Sequence, residues 1–148
     1  MKTLTLALLV SLSTLKLSAC SDGEKKAIEY SLLPATAQTF ISTHFSDKQV
    51  SVVFHDKEIG DNEYEVIFVD GADVNFNKKG NWYEVEDRDG NGVPEAILPA
   101  SIRDYVATNH AGSRVVKISK DSRDYEVELS NNTELVFDKN GNFLHYDD

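Results

Sequence analysis

Two stretches of the chain repeat apolar residues at every second position, the period of a strand. Tyr64, Val66 and Phe68 alternate with Glu65 and Ile67, and Tyr125, Val127 and Leu129 alternate with Glu126 and Glu128, which predicts strands buried on one face. Ahead of each lies a valine-rich run, 49–56 and 114–121, short enough for another strand. Ahead of those, Ala37, Phe40, Ile41 and Phe45, then Ile102, Tyr105 and Val106, recur at helical spacing behind Pro34 and Pro99. Proline is tolerated in a helix's first turn, and one apolar face predicts a helix lying on a sheet. Asp70-Gly71 and Asn131-Asn132 suit tight hairpins that need positive φ and lead into Val74/Phe76 and Leu135/Phe137. Lys79-Gly80 and Asn140-Gly141 make the next turns, into Trp82 and Phe143.

The same elements therefore occur twice. Leu33-Pro34 returns as Leu98-Pro99 at an offset of 65, and after a shortening of four residues Tyr64-Glu65-Val66 returns as Tyr125-Glu126-Val127. A period of this length indicates duplication. The predicted fold is α+β, a tandem repeat of a helix plus a four-stranded antiparallel sheet with the helices on one face. Repeat one spans 33–86, a linker 87–97 and repeat two 98–148. Phe40, Val66, Phe76, Tyr105, Val127 and Phe137 are expected between helix and sheet. A unit of about 60 residues buries only roughly 60% of its unfolded surface. The two units are therefore expected to share a continuous sheet, which also covers the edges a meander leaves open.

The first residues read as an address. Lys2 precedes an apolar run, Leu4 to Leu15, too short to span a bilayer, so 1–19 is a signal peptide. It ends in Leu17-Ser18-Ala19-Cys20, which resembles a bacterial lipobox whose cysteine is acylated; the alternative is ordinary cleavage after Ala19. Cys20 is the only cysteine, so intrachain disulfides are excluded and the core must hold the fold alone. Two or more acyl chains on one residue give stable anchoring. Ser21 after the cysteine resembles outer-membrane sorting, and Asp22 and Glu24 resemble surface-export tags, so the protein is expected lipid-anchored at the outer membrane, on its periplasmic or surface face. Residues 20–32 read as anchor and tether. Without 1–19 the chain carries 13 basic and 25 acidic residues, a net charge of −12, which repels nucleic acid and anionic headgroups and favours a neutral or basic partner.

The run Leu-Pro, apolar helix, strand, Tyr-Glu-Val, Asx turn, then Val/Leu-x-Phe-Asx-Lys-x-Gly-Asn-Trp/Phe resembles the beta-lactamase-inhibitor-like, PepSY-like family of bacterial exported proteins over essentially all of 33–146. The resemblance implies a helix-on-sheet fold similar to the beta-lactamase inhibitor protein and a role in holding or inhibiting extracytoplasmic enzymes. It carries no catalytic or binding residues to transfer.

Asp87-Arg88-Asp89-Gly90-Asn91-Gly92 matches the first half of a calcium loop, with Asp87, Asp89 and Asn91 as oxygen ligands before a turn glycine. Position twelve is Leu98 where a bidentate glutamate is needed, and Pro94 stiffens the loop, so a linker built for turns fits this composition better than a calcium site. His44, His55, His110 and His145 have no zinc spacing, and His44 and His110 read as half-buried structural residues. No nucleophile elbow or phosphate loop occurs, and of the carboxylates only a pair such as Glu65 and Glu126 offers a hydrolytic reading.

The copies differ on the predicted outer sheet face. Val52, Phe54, Ile67 and Val69 stand where the second copy has Lys117, Ser119, Glu128 and Ser130. An exposed apolar patch marks a contact surface, so Val52, Phe54, Ile67 and Val69, with Glu65 and Asp73 on the rim, are the candidate partner site. The face is alternatively covered by the tether, through Ala27, Ile28 and Tyr30, or by a second copy. Three functions are weighed: a non-enzymatic envelope module that binds or inhibits an unidentified protein or peptide, which the sequence favours, a calcium-tuned structural lipoprotein, and a hydrolase. Calcium is the only cofactor suggested, and the membrane is met through the lipid alone.

Overall fold

The computed structural model describes residues 25–58 and 61–147; the signal peptide and Cys20 lie outside them. The elements run β1 (Lys26–Ile28), α1 (Ala35–His44), β2 (Val50–Glu58), β3 (Asp61–Phe68), β4 (Asp73–Phe76), β5 (Trp82–Glu86), α2 (Ala100–Asn109), β6 (Val115–Lys120), β7 (Asp124–Leu129), β8 (Glu134–Asp138) and β9 (Phe143–Asp147). Every strand pairs antiparallel with its neighbour in sequence, in the order β1 to β9, as one sheet.

This corrects the expected arrangement of two helix-plus-four-strand units. The four strands of each expected unit do not form a sheet of their own: β5 and β6 pair in the register Glu84↔Ser119, Val85↔Ile118 and Glu86↔Lys117, so the halves merge into the continuous sheet expected of them, and β1 adds a ninth strand beside β2 through Ile28↔Val53. The physical reason is edge closure: β5 and β6 would each expose a row of unpaired amides, and joining them satisfies both.

The core runs unbroken across that seam. Val53, Val66, Val74, Val85, Ile118, Val127 and Leu135 are successive register partners on one face, and each is at most 2% exposed. Ala37 and Ile41 of α1, and Ile102 and Val106 of α2, bury onto the same face in one cluster. Phe40 meets Phe76 edge-on at 5.8 Å and stacks near Trp82, while Tyr105 meets Phe137 edge-on at 5.3 Å and stacks on Phe143. Phe40 and Tyr105 themselves are only half buried at the rim of this core.

Pro34 and Pro99 stand as N-caps just ahead of the two helices. The β4–β5 turn is pressed under the start of α1. Gly80 has φ +79°, and a Cβ there would lie 2.8 Å from the Pro34 Cβ and 2.9 Å from the Ala37 nitrogen. Glycine is required there both for its positive φ and for the close approach.

Candidate functional site: the outer sheet face

The face opposite the helices is set by strand parity and by four β-bulges. Register shifts fall between Val50 and Val52, Asn75 and Phe76, Val115 and Lys117, and Val136 and Phe137. A bulge turns two successive side chains the same way. The shift opposite Phe76 thus delivers both Tyr83 and Glu84 to the outer face, where simple alternation would send only one.

Two registered rows define this surface. One runs Phe54, Glu65, Asn75, Glu84, Ser119, Glu126, Val136. The other runs Val52, Ile67, Asp73, Glu86, Lys117, Glu128, Glu134. Of the residues singled out from sequence, Val52 is paired with Ile67 and Phe54 with Glu65, so these four form one patch. Val69 does not join them. It sits in the turn after β3, 65% exposed, its N–H bonded to the Gln49 carbonyl, beside a recess lined by His44, Lys48 and Asp70. The tether does not cover the patch in the expected way, because Ile28 and Tyr30 pack against the core side and only Ala27 continues the Phe54 row.

The centre of the face is acidic. Asp73, Glu84 and Glu86 bring carboxylate oxygens within 4.8 Å of one another. Asp73 is 4% exposed, and burial, reinforced by Glu86, raises its pKa against the opposing pull of Arg88. Arg88 donates to Asp73 at 3.2 Å and reaches Glu86 at 3.4 Å. Lys117 lies 3.2 Å from Glu84. Burial lowers the Lys117 pKa, but the hydrogen bond to Glu84 and its charge outweigh that and leave it raised. These two cations offset two of the three negative charges within the fold, so the trio's geometry alone does not argue for a metal. Nearby, Tyr83 donates to Glu63 at 2.8 Å, and burial together with that carboxylate raises the phenol's pKa. Asp73, expected on the polar rim of the patch, is instead buried at the acidic centre, and Tyr83, Glu84, Glu86, Arg88 and Lys117 were not assembled around it from sequence.

Glu65 and Glu126 share the first row but belong to β3 and β7, four strand spacings or roughly 19 Å apart. A hydrolytic pair needs carboxylates within about 10 Å, so these two do not converge. His44 lies against Phe40 with ring centres 4.7 Å apart, His110 lies 6.1 Å from Tyr105, and His55 stacks on Tyr64 at 4.5 Å.

The Asp87–Gly92 loop follows β5. Asp87 is 5% exposed; its Oδ2 accepts the Gly92 N–H at 2.8 Å, and its Oδ1 is buried without a hydrogen-bond donor. Lys48, ion-paired with Asp70, stands 3.9 Å from that Oδ1. Asp89 and Asn91 are exposed. Leu98, at position twelve, is buried in the core, so no bidentate ligand closes the loop there.

The model of the family described as "Putative beta-lactamase-inhibitor-like, PepSY-like" matches residues 62–145. The chain belongs to this family. Among solved structures it is similar to a protein of Bacteroides thetaiotaomicron described as a putative calcium-regulated periplasmic protein, at 45% identity and TM-score 0.81, covering 84% of this chain and 97% of that one. Two Bacteroides vulgatus proteins described as putative periplasmic proteins, one of them of unknown function, match at 42% and 31% identity, each with TM-score 0.80, covering 84% of this chain and 98% and 100% of theirs. The search of curated proteins returns no match. Among the described residues no helix is long and apolar enough to cross a membrane.

Proposed function

We propose that this PepSY-like chain is a non-enzymatic periplasmic lipoprotein of the cell envelope, anchored to the outer membrane through Cys20, whose outer sheet face binds and inhibits or shields a partner protein. The observation that carries the reading is the juxtaposition on that face of the Val52–Ile67 and Phe54–Glu65 pairs with the acidic rows beside them. An apolar patch flanked by an acidic region has the composition of a protein contact surface, and the sign of that flank selects a basic partner. The periplasmic solved structures support the compartment.

Two variants test the surface. Ile67→Glu should abolish crosslinking to a partner in detergent-solubilised envelope while leaving thermal stability nearly unchanged. Leu129→Glu, which drives a charge into a site 0% exposed, should unfold the protein. If Ile67→Glu destabilises by several kcal/mol, the face is core and the site disappears with it. The anchor is tested by fractionation: Cys20→Ser should move the chain from membrane to soluble fraction, and a wild-type chain already soluble would overturn the lipid reading.

A second reading is favoured by Asp87. Its Oδ2 holds the sixth-position N–H while its other oxygen lacks a donor, which is how the first ligand of a calcium loop is prepared. Asp87, Asp89 and Asn91 would supply oxygens to a calcium ion there, and Lys48 would be the cation with which it competes. The calcium-regulated description of the thetaiotaomicron protein supports the choice of ion.

A further inference from the structure

The first described residue reaches across the candidate docking face. Lys25, one residue ahead of β1, lies with its ammonium 2.5 Å from Glu65 Oε2 and 5.0 Å from the centre of the Phe54 ring. It caps a cavity of about 100 Å³ whose walls are Phe54, Asp56, Glu63, Glu65, Asn75 and Tyr83. One carboxylate oxygen in that cavity, Asp56 Oδ1, is buried without a hydrogen-bond donor, and Glu65 Oε2 is met by the Lys25 ammonium. The pocket therefore combines an aromatic face, a surplus of negative charge and unfilled acceptor capacity, and a single primary ammonium answers all three.

We propose that this pocket is a receptor for a lysine side chain of the partner protein, and that Lys25 is a resident surrogate which the partner's lysine displaces. The idea rests on the outer-face docking reading and specifies the chemistry of its partner. A buried carboxylate left without a cation is costly, so a free receptor of this kind needs an internal ion. Exchange of one ammonium for another keeps the charge count of the pocket constant throughout. The surrogate is also built to leave. Its side chain is 49% exposed, and it hangs on a three-residue edge strand at the end of the segment that leads back to Cys20. The small volume and the ammonium already seated there favour lysine over the wider guanidinium fork of arginine. Phe54 and Glu65 come from neighbouring strands in direct register, so the aromatic wall and the carboxylate are held rigidly relative to each other. In the same row, β6 places Ser119 where an aromatic wall would be needed, so the receptor is confined to the β2–β3 end of the face.

The test is an NMR titration of the full-length chain bearing Cys20→Ser with Nα-acetyl-lysine methylamide at about 150 mM salt, following the Phe54 ring and Glu65 signals. A tethered competitor acts at an effective concentration in the millimolar range. Removing it with Lys25→Gln should therefore tighten probe binding at least about threefold, with shifts confined to Phe54, Glu65 and their neighbours. Adding Phe54→Leu or Glu65→Gln to Lys25→Gln should each abolish the response while amide spectra elsewhere stay unchanged, and Nα-acetyl-norleucine methylamide should give none. The proposal is overturned if the probe leaves Lys25→Gln unperturbed, if affinity is the same with and without Lys25, or if Nα-acetyl-arginine methylamide binds as well. Photo-crosslinking from position 67 separates this from the parent reading. A face that still captures a partner while the lysine probe fails refutes the receptor alone, whereas loss of all capture refutes the docking surface.

Discussion

Replacing Ile118 with alanine tests whether the nine strands form one cooperative sheet. Ile118 is 0% exposed and lies in β6 between Val85 of β5 and Val127 of β7, at the seam where two separate sheets would have ended. The substitution removes three carbons, worth roughly 2.4 kcal/mol at about 0.8 kcal/mol per buried methylene. A residual void of roughly 50 Å³ adds about 1 kcal/mol at about 24 cal/mol per Å³. The expected loss is therefore about 3 to 4 kcal/mol, or a fall of roughly 2 M in the urea midpoint for a slope near 1.5 kcal/mol/M. Two probes report on it. Fluorescence of Trp82, the only tryptophan, reads β5 and its contacts with Phe40 and Lys120, while far-ultraviolet circular dichroism reads every strand. With one sheet, both curves shift together and keep one midpoint. Should the Trp82 curve stay in place while the dichroism splits into two steps, or should the cost be under about 1 kcal/mol, the continuous core argued here is wrong.

Asp73→Asn should change the pH dependence of stability. The folded-state pKa of Asp73 is raised by burial and by Glu86, so its ionisation opposes folding, and the wild type loses stability as pH rises through that raised value. The asparagine variant escapes this loss, so urea denaturation should show it gaining on the wild type above about pH 4 and matching it below about pH 3; a variant less stable at pH 7 than at pH 3 relative to wild type would contradict the sign. For the calcium reading, a free concentration near 100 times the dissociation constant should stabilise the wild type by about 2.7 kcal/mol. Asp89→Ala, at an exposed position, should leave the melting temperature without calcium unchanged and remove most of that gain, whereas a wild-type melt indifferent to calcium would end the proposal.

Much of the local structure was legible because it depends on near neighbours. Alternation at Tyr64 to Phe68 and Tyr125 to Leu129 marked strands β3 and β7, and the spacing of Ala37 and Ile41, and of Ile102 and Val106, marked the helices that bury those residues. Membership of the PepSY-like family was legible too, because its motif is a run of turn and core residues that lie close along the chain. Parity also placed Val52, Phe54, Glu65 and Ile67 on one face, since a strand's side chains alternate whatever the strand pairs with. What a strand pairs with is another matter. Edge closure led to the expectation of one continuous sheet, but the register in which β5 meets β6 and the recruitment of Lys26–Ile28 as β1 were decided by unsatisfied backbone edges, which are alike in every strand and leave no mark in side-chain pattern. The convergence of Asp73, Glu84 and Glu86, the bulge that turns Tyr83 outward, and the placing of Lys25 over Phe54 and Glu65 follow from that pairing. They join residues remote in sequence whose proximity no periodicity encodes, and so only the tertiary structure could bring them together.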